Sequence, residues 1–403
     1  MNTLEDSSPK SGHQILFTLF LATLAALPPL ATDLYLSTLS VIGHALDVTP
    51  EAAGYTVSVF LASFAAAQLF FGPLSDRMGR RPVGLFGCAL FALGGFGCML
   101  SSSLSILLLW RALEGVGAGS ATVLAFAIVR DRFEGNHARV MISYVSATQA
   151  LAPMIAPVFG SLLFKVAGWR MLFAFLGSAG ILLLLIFLFG FRESLPIEQR
   201  AAAGLTELRK SFQRIFGSRS VLGYCLLNAF MLASLLAFIT GSSFLFVDLL
   251  GMGRTTYGWL LFLIACGSMI GSWLSGLLGT ARVGHGRILA AGLALALLAT
   301  CGLLILSLAG CFNVATALPL TILLTIAVGL TIPNAAHGAL APLQDVAGTA
   351  AAVFGCMGTL GGAISAAVVA SMPHISPLTL SAIMAGFSVL AVLDALLLAR
   401  PKL

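Results

Sequence analysis

The sequence predicts an all-α integral membrane protein: twelve transmembrane helices in two six-helix bundles, with both termini cytoplasmic. Three observations predict it. Of 403 residues, 59% are hydrophobic and only 9% charged, whereas ordinary soluble chains carry about 25% charged residues. The apolar residues gather in blocks of about 20, the length that crosses a bilayer as a helix. The basic residues collect in alternate connections between those blocks, which fixes an orientation.

The expected spans are 14–36, 52–74, 83–100, 104–129, 139–164 and 170–191, then 219–246, 257–279, 288–309, 315–338, 348–371 and 378–399. With the N-terminus inside, 17 of the 21 basic residues fall in inner segments, among them Arg77, Arg80, Arg81, Arg130, Arg132 and Arg139. Only Lys165, Arg170 and Arg254 fall outside, and Arg111 lies within a span. The net charge of +6 therefore serves topology rather than nucleic-acid binding. A cleaved leader is not expected: Glu5 and Asp6 spoil the basic start, and the apolar run continues past Pro28-Pro29 to Tyr35.

One connection is long, and it divides the chain into residues 1–191, a linker 192–218 and residues 219–403. In the linker, Leu205, Leu208, Phe212, Ile215 and Phe216 share one helical face, with basic residues covering the rest. That pattern fits a helix lying on the inner membrane surface; a loosely ordered linker is the alternative. Two six-span halves suggest a duplication, as in many secondary transporters. The internal match is faint: GPLSDRMGRR has only a faded counterpart in GLLGTARVGHGR.

The fourth span holds the most informative residues. Arg111 and Glu114 sit inside an apolar run, three residues apart and so on one helical face. An ionisable group at such a depth costs at least roughly 2.5–3.5 kcal/mol, so it faces protein or a wet cavity and has a partner. Gly115, Gly117 and Gly119 follow, where another helix can approach closely. Asp33 lies in the outer half of span one, and Arg111 lies about 10 Å below the outer start of span four. Comparable depths predict an Asp33–Arg111–Glu114 cluster lining a cavity. The competing reading is a purely structural ion pair locking two helices.

Gly72 to Pro82 reads GPLSDRMGRRP, a tight turn between antiparallel spans. Gly79 permits an unusual backbone dihedral, and Asp76 is the one acid among Arg77, Arg80 and Arg81. Asp76 suits either an arginine or a helix N-terminus. This stretch resembles the inner loop of the major facilitator superfamily, G-x-x-x-D-R-x-G-R-R. Ala31-Thr32-Asp33-Leu34-Tyr35-Leu36 is similar to the first-helix signature of its twelve-span drug:H⁺ antiporters. Arg111 with Gly115 and Gly117 is similar to their fourth-helix motif, and Pro153, Pro157 and Gly160 to their fifth-helix antiporter motif. Arg130-Asp131 and Gly168-Trp169-Arg170 resemble the Bcr/CflA subgroup. Pro333-Asn334 with Ala347-Gly348-Thr349 is similar to its chloramphenicol and florfenicol exporters.

Two positions depart from the pattern. Glu114 stands where the subgroup usually has glutamine. Ala156-Pro157 and Gly160-Ser161 stand where the antiporter motif reads G-P and G-G.

The resemblance implies a proton-coupled, alternating-access exporter of small lipophilic or cationic drugs, monomeric, in a bacterial inner membrane and without cofactor. Within it, Asp33 and Arg111 would serve coupling and binding. Asp76 would latch the inner loop onto the helix start near Ala347–Ala350, with Arg130 as a further partner. The other reading on the same fold is a carrier of a metabolite such as an amino acid derivative.

The residues themselves exclude several classes. No phosphate loop GxxxxGK[ST] is present, which argues against direct ATP use. No HExxH, nucleophile elbow or paired metal ligands suggest an enzyme. Seven cysteines lie mostly in apolar runs without CxxC spacing, as packing residues do. Of the other polar residues, Gln68, Gln149, Asn228 and Asn334 are candidates either to touch substrate or to bridge helices. Tyr35 is a cavity wall or an interfacial anchor. His337 near a helix end is expected to be structural, and Asp394 near the end of the last span to reach the inner interface.

Overall fold

The computed structural model describes residues 11–133, 135–196, 205–281, 283–372 and 374–399. The expected topological charges Lys10, Arg200, Arg282, Arg400 and Lys402 lie outside those residues. Thirteen α-helices carry the fold: α1 (Ser11–Asp33), α2 (Leu39–Ala45), α3 (Tyr55–Met78), α4 (Arg80–Met99), α5 (Leu104–Arg132) and α6 (Gly135–Leu185). They continue with α7 (Leu205–Gly217), α8 (Arg219–Ser243), α9 (Arg254–Thr280), α10 (His285–Leu308), α11 (Val314–Leu340), α12 (Ala347–Ala370) and α13 (Pro377–Asp394).

Among the described residues, eleven stretches are long and apolar enough to cross a membrane. One of them, Val140–Gly190, has 51 residues; unbroken it would reach about 76 Å, more than twice a bilayer core. It breaks at Gly168, whose φ of 76° and ψ of 179° no helix contains. Counting α6 as the two spans on either side of Gly168 gives the twelve expected.

The first span differs from its expected limits. Pro28 and Pro29 each lack an amide donor, and the hydroxyl of Thr32 donates back to the Pro29 carbonyl at 3.0 Å. The helix stops at Asp33, passes through a short 3₁₀ turn at Leu36–Thr38 and resumes as α2. The apolar stretch thus runs to Ala45 in two pieces rather than ending near residue 36.

The buried apolar side chains form two clusters. One draws mainly on α1 to α6, around Phe60, Phe91, Leu124, Phe173 and Phe187. The other draws on α8 to α13, around Leu227, Phe246, Tyr257, Leu289 and Leu324. In the linker, α7 forms over the expected amphipathic stretch. Ile215 is buried in the second cluster, while Phe216 is 52% exposed beside Phe212; the side chains of Leu205 and Leu208 are outside those described. All seven cysteines are free, and four of them (Cys88, Cys98, Cys225 and Cys356) are buried.

The turn between α3 and α4 takes one residue, Gly79, at φ 101°. That positive φ is where glycine is favoured and other residues are strained. The turn brings the last residues of α3 against the first of α4, and so assembles the charged cluster described below.

Candidate functional site

Three sites emerge: a buried charge pair, a cavity between the bundles, and an ionic cluster at the α3–α4 turn.

The charge pair is Arg111–Glu114 on α5. A guanidinium nitrogen of Arg111 donates to Glu114 Oε2 at 2.7 Å, and both residues are fully buried. Arg111 Nε donates to the Thr56 carbonyl at 3.3 Å. Its guanidinium carbon lies 4.2 Å from the Phe60 ring centre, 4.9 Å from Tyr35 and 5.8 Å from Phe173. Aromatic faces attract a desolvated cation by about 2 kcal/mol or more, which helps offset its burial. The glycines let the neighbouring helices close around the pair. A Cβ on Gly94 of α4 would sit 2.6 Å from Glu114, and one on Gly115 would sit 2.5 Å from the Phe60 carbonyl.

Asp33 is not part of this pair, contrary to the expected three-residue cluster. Among the described residues no ion pair joins it to Arg111. It is 8% exposed at the C-terminal end of α1, and the neighbouring Thr32 hydroxyl is turned back to the carbonyls of its own helix. The break after α1 is the reason. Two residues beyond Asp33 the chain turns Tyr35 onto Arg111, where its hydroxyl pairs with Thr56 at 2.9 Å. Tyr35 is therefore fully buried packing around the arginine, neither cavity wall nor interfacial anchor.

The cavity, of about 600 Å³, lies between the bundles. The first bundle contributes Pro28, Pro29 and Thr32 of α1, Phe60, Leu61 and Phe64 of α3, Thr122 of α5, and Ser146 and Gln149 of α6. The second contributes Leu232, Leu235 and Leu236 of α8, Ser268 and Ser272 of α9, Val328, Gly329, Ile332 and Pro333 of α11, and Thr359 of α12. No lining side chain is charged. Phe60 belongs to both sites: it lines the cavity and stacks on Arg111, so the pair sits behind the cavity wall instead of lining it. A smaller hollow of about 260 Å³ beside Leu74, Met78, Pro82, Val83 and Phe86 is wholly apolar and offers no polar handle.

Gln149 lines the cavity as one of its candidate roles required. Asn228 does not. It is 2% exposed and donates to the Phe354 carbonyl of α12 at 3.0 Å, bridging helices. Asn334 likewise bonds Ser275 at 2.7 Å. His337 packs edge-on against His285 at 5.2 Å.

Away from the α3–α4 turn, the bundles touch. Gly54 at the start of α3 would place a Cβ 3.2 Å from Ala370 and 3.4 Å from Thr240. Gly258 of α9 packs on the backbone of Pro157 and Val158. The antiporter-motif segment also grips α1, since a Cβ on Gly160 would collide with the Leu34 carbonyl. Pro153 and Pro157 both lie inside the helix, upstream of that contact.

At the turn itself, Arg80 is 6% exposed and joins three elements. It donates to both oxygens of Asp131 on α5, at 2.9 and 3.3 Å, to Ser75 Oγ at 2.7 Å, and to Asp76. Arg81 donates to the carbonyls of Phe187 and Leu188 at 3.1 and 2.7 Å. Gly72 packs near Val123; Arg77 and Arg130 are exposed. Asp76 is half exposed and its ion pair is with Arg80. Of the expected latch partner Ala347–Ala350, the side-chain positions of Ala347 and Gly348 lie outside those described.

Sequence reasoning missed Glu193 and Ser194. Both oxygens of Glu193 accept from the first amides of α4, Arg80 N at 2.8 Å and Arg81 N at 3.1 Å. That caps two donors every helix start leaves open and places an anion at the positive end of the dipole. Ser194 adds a 2.9 Å bond to Asp131. Its signal was an acid and a serine just after an apolar span, which hydropathy alone does not weigh.

Replacing Arg80 by alanine should lower thermal stability by about 1–3 kcal/mol, because Asp131 loses a two-pronged partner in a part-buried place. Lysine should rescue little, having no planar fork. An unchanged unfolding midpoint in detergent would show that the cluster does not hold these helix ends.

Residues 17–366 match the family profile of the Major Facilitator Superfamily. The chain belongs to that superfamily. It is 29% identical over 384 residues to Multidrug resistance protein D of Escherichia coli (strain K12), covering 95% of this chain and 96% of that protein. It is 28% identical over 366 residues to a bicyclomycin resistance protein homolog of Haemophilus influenzae, covering 89% of each. That similarity bears out the resemblance to the Bcr/CflA subgroup. Among solved structures, it superposes with a TM-score of 0.73 on a bacterial homolog of the human lysosomal transporter Spinster, inward-facing and occupied. That match is 15% identical and covers 96% of this chain and 97% of the other; it bears on the fold. With its apolar helices, the superfamily member is a multi-pass protein of the bacterial inner membrane.

Proposed function

We propose that this superfamily member is a drug efflux transporter that exchanges drug for protons by alternating access, with both termini and the Arg80 cluster on the cytoplasmic side. The observation that carries the reading is the cavity. It lies between two bundles that touch at the end away from the α3–α4 turn. Its volume falls within the roughly 300–1,000 Å³ usual for small-molecule sites. Resistance functions named for the two curated relatives support drugs as cargo.

The lining argues for the kind of drug. Leucine, phenylalanine and proline walls with serine, threonine and Gln149 suit an uncharged lipophilic molecule with a few hydrogen-bonding groups. A permanent cation would lose hydration without gaining a counter-charge. Chloramphenicol, florfenicol and bicyclomycin-type drugs are accordingly the first to try, and cationic dyes second.

Energy would come from protons, each worth about 2.3 kcal/mol per 100 mV of membrane potential. The coupling acid in this reading is Asp33, a buried carboxyl at the C-terminal end of α1. Coupling at Asp33 requires that its surroundings, and with them its proton affinity, change between access states. Only such differential affinity lets a proton shift the access equilibrium.

The test is a resistance panel in an efflux-deficient bacterial host, with and without an uncoupler. Uncoupler-sensitive resistance to neutral drugs is the expected result; equal sensitivity with and without the protein would refute drug export. Ser272→Asp, which adds the missing counter-charge, should move the preference toward cationic drugs by tenfold or more. An unmoved preference would place the selective contacts elsewhere.

A further inference from the structure

We propose that Asp394 is a second proton-binding site, in the second bundle and separate from Asp33. It closes α13, the last transmembrane helix. It is 5% exposed, and neither carboxylate oxygen has a hydrogen-bond partner among the described residues. The chain winds directly from it into a wide π-turn, Ala395–Ala399, a deviation that often accompanies functional positions.

The reason for its burial is a close approach to α8. Ser220 Oγ donates to the Ala399 carbonyl at 3.3 Å. A Cβ on Gly223 would lie 2.7 Å from the Leu398 carbonyl carbon and strike the Ala399 amide. This contact draws the end of the helix under α8 and carries Asp394 with it.

Among the described residues, the groups able to answer its charge are few. On α8, Cys225 is near enough to feel it, Tyr224 packs on Gly338, and Arg219 is exposed. On α10, His285 is engaged with His337 and Arg287 is exposed. On α12 the one titratable side chain is the buried Cys356. None bonds to Asp394. An ionised carboxylate without donor or cation is unfavourable away from water, and an intramembrane acid of this kind marks a proton path before anything else. Asp394 therefore holds a proton on one carboxyl oxygen while α8 and the π-turn stay together. When they part, water reaches the group and the proton leaves to it, restoring the carboxylate.

Coupling of this site to transport rests on the proton-driven export proposed above; the protonation itself does not. The first measurement is infrared spectroscopy of the full-length protein in lipid, titrated with pH. Wild type should show carboxylic-acid carbonyl absorption that fades as pH rises, and Asp394→Asn should lose one titrating component of it while the Asp33 component stays. Asp394→Glu should keep a titrating band at a shifted position, which serves if the asparagine protein does not insert. A band identical in wild type and variants, or one that never responds to pH, overturns the proposal.

The second measurement is drug accumulation in vesicles at a one-unit pH gradient with the membrane potential collapsed. One coupled proton then multiplies the accumulation ratio tenfold. Asp394→Asn should accumulate tenfold less than wild type while exchanging drug normally in counterflow. An unchanged ratio overturns the proposal. No accumulation by wild type itself would instead refute proton-driven export, leaving the infrared titration to decide on the proton site.

Discussion

Replacing Arg111 by alanine should destabilise the protein by about 3–5 kcal/mol, the cost of leaving a buried ion without its partner. Glu114 is fully buried, and its Oε1 already lacks a bond, so it depends on the 2.7 Å contact from Arg111. Tyr35, Phe60 and Phe173 would also surround a void where the guanidinium had been. The companion variant is Arg111→Met with Glu114→Leu. Removing both charges together takes away the unmatched ion, so much of the stability should return. Transport should not return if the pair serves the access cycle. Thermal unfolding in detergent reads the first effect and drug counterflow the second. A single alanine variant within about 1 kcal/mol of wild type would mean that the pair is not what fixes α5.

Replacing Asp33 by asparagine should abolish accumulation of drug against its gradient under an imposed pH difference. Insertion and downhill exchange should persist, because asparagine fills the same volume and Asp33 holds no ion pair whose loss would strand a charge. The measurement is uptake into everted vesicles at equal protein density. Vesicles of Asp33→Asn that still concentrate drug under a pH gradient would remove Asp33 from the coupling step. The two variants are thus expected to separate: Arg111→Ala to change stability and cycle together, Asp33→Asn to change energy input alone.

Much of the architecture was legible because hydropathy and charge act at long range along the chain. Twelve apolar blocks needed no knowledge of packing, and even the break at Gly168 fell in an expected connection. The Arg111–Glu114 contact was legible too, since three residues along a helix fix its geometry. Asp33 was not, because its direction depends on how α1 ends. Two prolines and a 3₁₀ turn rotate the next residues by an amount no periodicity predicts. The burial of Asp394 was not legible for a related reason: the π-turn and the close approach at Gly223 enclose it, and neither shows in a hydropathy profile. Glu193 lies outside every span, so nothing local announced that it would cap a helix 113 residues earlier.

The tightness of Gly160 against Leu34 has a mechanical meaning. With no room for even a methyl group between them, these two segments cannot be squeezed together; they can only roll or slide as a unit. The same short stretch of α6 leans on Gly258 across the bundle divide. In the alternating-access reading it would work as a strut: rocking one half of the molecule against the other would drag the peptide just after Asp33, gearing the acid's surroundings to the swing.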